Sequence, residues 1–142
     1  MRPEGRTREH CPTRVTRCLT RYAYPYFAGF ADERGTGAAE GWNRNFPLAE
    51  NFGDDAHLEV LAEALEVIRQ FAPWALVVSV GLEIGKGDPT GAWSISPEGF
   101  ERIGAAIAAL RLPTLAVQEG GYDTRTIGRN ARAFITGSQR EP

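Results

Sequence analysis

Two short runs carry side chains of types that could do chemistry together: Gly81-Leu82-Glu83 and Glu119-Gly120-Gly121-Tyr122. A carboxylate such as Glu83 can ligate a metal or carry a proton. A phenol such as Tyr122 can donate a hydrogen bond to an oxygen that is gaining negative charge. The paired glycines, Gly120 and Gly121, let the backbone turn sharply and approach a ligand, which leaves Tyr122 projecting at a rim. These residue types name no reaction by themselves. Glu83 also reads as an ordinary turn acid, and Tyr122 as a rim tyrosine with a packed ring and a hydrated hydroxyl.

Other residues with chemical potential read more plainly. The run Asp55-Ala56-His57 has the spacing of an Asp-x-His ligand pair, but it opens a helix. A helix cap and a surface or half-buried histidine are therefore expected there. His10 lies in an arginine-rich arm. Cys11 and Cys18 form a Cys-x6-Cys pair with no further cysteine, which is not a zinc-finger pattern, so two reduced thiols are expected. Asp88-Pro89 reads as a turn, Trp42 and Trp93 as packing residues, and the aromatics around Tyr24 as core.

The elements that must position Glu83 and Tyr122 follow from periodicity. Leu58, Leu61, Ala62, Leu65 and Ile68 recur at helical spacing between a cap at Asp54 or Asp55 and a stop at Pro73. Ala75 to Gly81 is a continuous apolar run, expected as a strand buried on both faces of a parallel sheet. Ser96 followed by Pro97 predicts the start of a second helix, with Phe100, Ile103, Ile107 and Leu110 on its apolar face. Thr114 to Glu119 reads as the second buried strand. Thr124 to Ile135 reads as a last helix, with Ile127, Ala131 and Phe134 inward and Gly137 as its stop.

Helix alternating with strand predicts an α/β chain with a parallel sheet. In such sheets ligands bind at the carboxyl ends of the strands, where Glu83 and Tyr122 fall. Tyr22 to Asn45, rich in glycine and aromatics, reads as a long packed loop of the kind that often serves function.

Bulk properties narrow the class. The chain has 142 residues, 42% hydrophobic and 24% charged, which suits one globular domain. No apolar run approaches the roughly 18 residues of a membrane span, and the first twenty residues lack the apolar core of a signal peptide. No membrane association is expected, and the compartment expected is the cytoplasm. Residues 1–22 carry a net charge of +4 against −6 for the remainder. That arm has no lysine and no helical stripe, so no nucleic-acid partner is expected.

Four segments together resemble the C-terminal part of the histone deacetylase superfamily, nearest its acetylpolyamine amidohydrolase branch. They are Tyr24-Pro25-Tyr26-Phe27-Ala28-Gly29-Phe30-Ala31-Asp32-Glu33, then Gly41-Trp42-Asn43-Arg44-Asn45-Phe46-Pro47-Leu48. The third is Val78-Ser79-Val80-Gly81-Leu82-Glu83 with Asp88-Pro89 after it, and the fourth is Glu119-Gly120-Gly121-Tyr122. In this order and spacing they are specific, and they span about four-fifths of the chain. The resemblance implies an arginase/deacetylase-type three-layer fold over residues 22–142, present only in its C-terminal portion. Residues 1–21 are unmatched and expected as a disordered or out-of-frame arm.

The resemblance further implies a zinc-dependent amidohydrolase acting on acetylated amines, acetylpolyamine or acetyl-lysine. In that family zinc polarises the acetyl carbonyl and a tyrosine hydroxyl donates to the oxyanion. Tyr122 matches that tyrosine, and Gly120 and Gly121 supply pocket backbone. Glu83 stands where the family has an aspartate zinc ligand, and its extra methylene moves the carboxylate by roughly 1.5 Å. The other ligands and a histidine pair lie upstream in the family, whereas this chain has only His10 and His57. The expectation is a truncated, inactive form with weakened zinc binding. A non-catalytic binding module, a homo-oligomer, or a partner chain that supplies the missing N-terminal half and completes a split site remain open.

Overall fold

The computed structural model describes residues 14–19, 29–48, 52–89 and 93–140. They fall in two compact units, residues 1–48 and 49–142. The expectations placed on His10, Cys11 and the aromatic run 22–28 lie outside the described residues.

In the first unit β1 (Arg14–Leu19) and β2 (Asn43–Leu48) pair in parallel, Arg14 opposite Asn43 and Leu19 opposite Leu48. Neither strand is evident from the alternation of residue types; the strand pairing itself organises them. The loop before β2 is not packed as its composition predicts: its described residues are mostly exposed and β2 already begins at Asn43, so hydrogen bonds rather than burial shape it. The Glu33 carboxylate accepts the N–H groups of Gly29 and Phe30. The side-chain amide of Asn45 donates to the Phe30 carbonyl at 2.9 Å, and that of Asn43 donates to the Glu33 carbonyl at 2.6 Å. These bonds satisfy loop backbone that has no ladder partner.

The second unit runs α1 (Asp54–Phe71), β3 (Leu76–Gly81), α2 (Pro97–Ala108), β4 (Thr114–Glu119) and α3 (Ile127–Ser138). β3 and β4 are parallel and in register from Leu76–Thr114 to Gly81–Glu119. The apolar stripes of the helices make one core of Leu65, Leu82, Ile95, Phe100, Ile103, Ile107 and Phe134, with Leu76, Val78 and Val80 of β3 packed on it. Complete burial of a side chain such as Phe100 contributes about 1.5–3 kcal/mol.

Local signals set most boundaries. The Ser96 hydroxyl accepts the Gly99 N–H at 3.0 Å and Pro97 opens α2, as the pair predicts. α1 runs to Phe71 and ends through Ala72 in the left-handed conformation, one residue before Pro73. Its small buried residue is Ala64, whereas Ala62 is exposed.

Four further expectations are corrected. Neither Asp54 nor Asp55 caps α1, whose cap residue is Gly53. Instead Asp54 accepts the Ser96 N–H at 2.8 Å and the Ser96 hydroxyl, tying the starts of α1 and α2 together. His57 is neither surface nor half-buried: it is 2% exposed, with its ring 6.3 Å from that of Phe52. Gly137 does not stop α3 but lies within it, because α2 comes too close for a side chain. A Cβ there would strike the Glu101 carbonyl, as one at Gly104 would strike that of Phe134.

The fourth correction concerns the sheet. Within the described residues β3 is covered on one face only, and β4 is exposed along its whole length rather than buried. Val77 is 68% exposed, and Leu115 and Val117 are exposed beside it. The paired positions Val77–Leu115 and Ser79–Val117 share that face, since side chains alternate along strands and paired residues point the same way.

The helix contact is checked by substitution. Gly137→Ala overpacks the seam and lowers the unfolding free energy by about 1–3 kcal/mol. Gly128→Ala, on open surface of the same helix, raises it by up to about 1 kcal/mol through helix propensity. Urea unfolding of the two variants against the parent measures both signs.

Candidate functional site at the ends of the parallel strands

The in-register pairing of β3 and β4 sets Gly81 opposite Glu119, so both strands release their chains at one edge. After β3 the chain makes a single helical turn, Leu82–Ile84. After β4 it turns through Gly120 and Gly121, at φ +66° and +97°. These left-handed values exclude most other residues, and the turn packs on its neighbour. A Cβ at Gly121 would lie 2.8 Å from that of Leu82.

Glu83 sits between the two turns. Its carboxylate curls back toward its own strand end. A Cβ at Gly81 would lie 2.6 Å from one carboxylate oxygen, and a Cβ at Gly120 would collide with the other. That second oxygen, Oε2, is buried and has no hydrogen-bond partner. A buried carboxylate oxygen left unpaired is costly unless a cation or donor reaches it.

Tyr122 is 60% exposed, so packing holds little of its ring. Its backbone is held firmly. The buried carboxylate of Asp88 accepts the N–H of Tyr122 at 2.6 Å and that of Asp123 at 3.1 Å through one oxygen. Asp88 is placed in turn by its N–H to the Gly85 carbonyl at 3.1 Å. Lys86 N–H to Ile95 O (3.0 Å) and Ile95 N–H to Ile84 O (3.1 Å) then fasten that turn to the core.

Asp123, also buried, faces the other way. It accepts the backbone and guanidinium N–H groups of Arg125 at 3.1 and 3.0 Å and the Thr126 hydroxyl at 3.1 Å. These bonds shape the turn into α3, whose first N–H groups also reach the Asp123 carbonyl. The Arg125 guanidinium bond, then the Arg125 backbone N–H, hold the Asp123 carboxyl below the ordinary carboxylate range. Burial opposes them and Thr126 assists.

The structure therefore brings Glu83, Gly120, Gly121 and Tyr122 to one edge, as their strand-end positions predict. It does not bring the Asp55–His57 pair there. Asp55 is exposed and paired with Arg102 at 2.8 Å, while His57 is buried in α1. Asp88 and Asp123 are the site residues that sequence reasoning missed. An acid three residues before Thr126 is a visible helix-entry signal for Asp123. Nothing local reveals that Asp88 binds backbone 34 residues away.

Zinc, which the family implies, can be tested against these side chains. The unpaired Oε2 of Glu83 is a fitting donor. Yet among the described residues no group of three His, Cys, Asp or Glu side chains could hold a metal ion, and zinc sites take at least three protein ligands. These residues do not fit a zinc ion on their own.

The chain belongs to the histone deacetylase domain family, whose profile matches residues 17–138. It is 45% identical over 114 residues to an acetylpolyamine amidohydrolase of Burkholderia pseudomallei, covering 80% of this chain and 33% of that one. It is also 45% identical over 117 residues to acetylpolyamine amidohydrolase 1 of Pseudomonas aeruginosa, covering 82% and 34%. A crystal structure of acetylpolyamine aminohydrolase from Burkholderia pseudomallei superposes with a TM-score of 0.82 at 42% identity, over 87% of this chain and 36% of that one. The chain thus spans about a third of the length of these relatives, and its fold is part of theirs. No helix among the described residues is long and apolar enough to cross a membrane.

The acid sensitivity of the α3 entry follows from Asp123. A carboxyl held low in the folded state contributes stability that is present above its unfolded value of about 3.9 and lost as pH falls through the folded value. The melting temperature of Asp123→Asn is therefore expected to fall below that of the parent at pH 7. The gap closes as both are titrated from pH 4 downward.

Proposed function

We propose that the two strand-end turns form the oxyanion side of a deacetylase site that takes acetylated amines, either acetylpolyamine or acetyl-lysine. Tyr122 is its hydrogen-bond donor. The observation that carries this reading is the presentation of an exposed phenol on a doubly anchored turn beside a half-buried carboxylate whose buried Oε2 has no partner. A donor fixed before the reaction stabilises developing charge without reorganising, which is how such groups lower a barrier. The similarity to acetylpolyamine amidohydrolases supplies the substrate class.

Glu83 is in this reading one metal-ligating carboxylate, in the place of a shorter aspartate. The 142-residue polypeptide contains two histidines, His10 and His57, and His57 is buried in α1. By itself it neither retains zinc nor turns over substrate. In this reading residues 22–142 are the deacetylase-like region, to which β1 (Arg14–Leu19) adds a strand beside β2 and the family match adds residues 17–21, and the protein works in the cytoplasm.

A second reading is favoured by the exposed apolar face of Val77, Leu115 and Val117, with Trp74 exposed just before β3. Apolar surface of this kind on a sheet calls for a covering partner. A separate polypeptide supplying the remaining two-thirds of a deacetylase domain would cover it and complete the site.

Zinc content and hydrolysis of a monoacetylated diamine and an acetyl-lysine peptide test both readings. The lone chain is expected to hold far less than one zinc and to show no turnover. Stoichiometric zinc with turnover would overturn the inactive reading. Turnover that appears only on mixing with the N-terminal two-thirds of a relative supports the split site. In that mixture Tyr122→Phe is expected to lower kcat by about 100- to 1,000-fold.

A further inference from the structure

Tyr122 carries an unusual requirement: its ring must point in one direction, yet its surroundings do little to aim it. The side chain is mostly exposed, and the two residues before it are glycines in left-handed conformations. Glycine populates many backbone states about equally, so a Gly-Gly pair followed by an exposed tyrosine is a soft joint unless something fixes it. The Gln118 side-chain amide holds the Gly120 carbonyl at 2.7 Å from within the same strand end, which leaves the backbone of residues 122 and 123 to be fixed.

Among the described residues that backbone is held from across the strand ends by Asp88. A single oxygen of Asp88 accepts two successive backbone N–H groups, from Tyr122 and Asp123. An anion seated on consecutive N–H groups holds a turn in one conformation, and charge strengthens both bonds. Asp88 is buried, and its own position is set by the Gly85 carbonyl on one side and Pro89 on the other. A proline restricts the backbone of the residue before it. Because the segment 82–88 also carries Glu83, the same clamp relates the Tyr122 turn to the Glu83 turn.

We infer that Asp88 is the positioning residue for Tyr122: its carboxylate fixes the glycine turn and so the direction in which the phenol leaves the strand end. Its significance for catalysis rests on the reading of Tyr122 as the hydrogen-bond donor of the site. Asp88 acts through backbone N–H groups and is not itself placed at the reacting atoms.

Amide hydrogen exchange and amide proton shifts of the 15N-labelled 142-residue chain test this directly. In Asp88→Ala the Tyr122 and Asp123 amides are expected to exchange roughly 10- to 100-fold faster. They also lose the downfield shift of carboxylate-bonded N–H groups, while β3 and α2 amides keep their protection. Asp88→Asn keeps the shape and one acceptor oxygen and restores part of both signals.

Unchanged exchange at 122 and 123 would overturn the inference. So would protection lost equally through β3 and α2 in both variants, which would make Asp88 a general stabiliser. In a complemented mixture that turns over substrate, Asp88→Asn lowers kcat by about 10- to 100-fold and leaves KM within about twofold. A mixture in which the parent itself shows no turnover counts against the deacetylase reading and leaves the exchange result to decide the clamp.

Discussion

The arrangement at the candidate site depends on the in-register parallel pairing of β3 and β4. Because Gly81 stands opposite Glu119, the two chains leave the sheet side by side, and a carboxylate from one turn can lie over the glycines of the other. A register shift of one residue would exchange the faces of every strand side chain. It would lift Val78 and Val80 off the core and separate Glu83 from Gly120. The helices hold β3 from one side, through a cluster that includes Phe100, Ile103 and Phe134.

Two carboxylates then work in series along the chain that bears Tyr122. Asp88 holds the backbone entering the turn, and Asp123 shapes the backbone entering α3. Both are buried acids whose oxygens are met by N–H or O–H groups, the condition under which a buried charge is tolerated. Glu83 differs, since it is half-buried and its one buried oxygen, Oε2, has no donor. The contrast separates two acids met by donors within the fold from one with an unmet oxygen. The glycines at 81 and 120 leave room for the Glu83 side chain to fold back.

Much of this was legible in residue types. The strands ending at Gly81 and Glu119, the Ser96-Pro97 helix start and the apolar faces of the helices follow from periodicity and capping. So does the assignment of Glu83 and Tyr122 to strand ends. The family resemblance carried by the Gly-Leu-Glu and Gly-Gly-Tyr runs agrees with the match over residues 17–138. Less legible were features in which one residue serves a distant partner. Asp54 reads as a cap for its own helix but binds the start of α2. Gly137 reads as a stop but is a contact point, and Asp88 reads as a turn residue but clamps a loop.

The sequence by itself determined the elements, their order and the side chains that reach the strand ends, because these depend on local periodicity and backbone preference. Tertiary structure alone decided that Asp88 holds Tyr122, that Glu83 folds against two glycines, and that His57 is buried rather than available. It also decided that β3 is covered on one face and that β4 is exposed along its length among the described residues. Each of these outcomes is a distance between residues far apart in the chain, and such distances are set by packing, which no local pattern records.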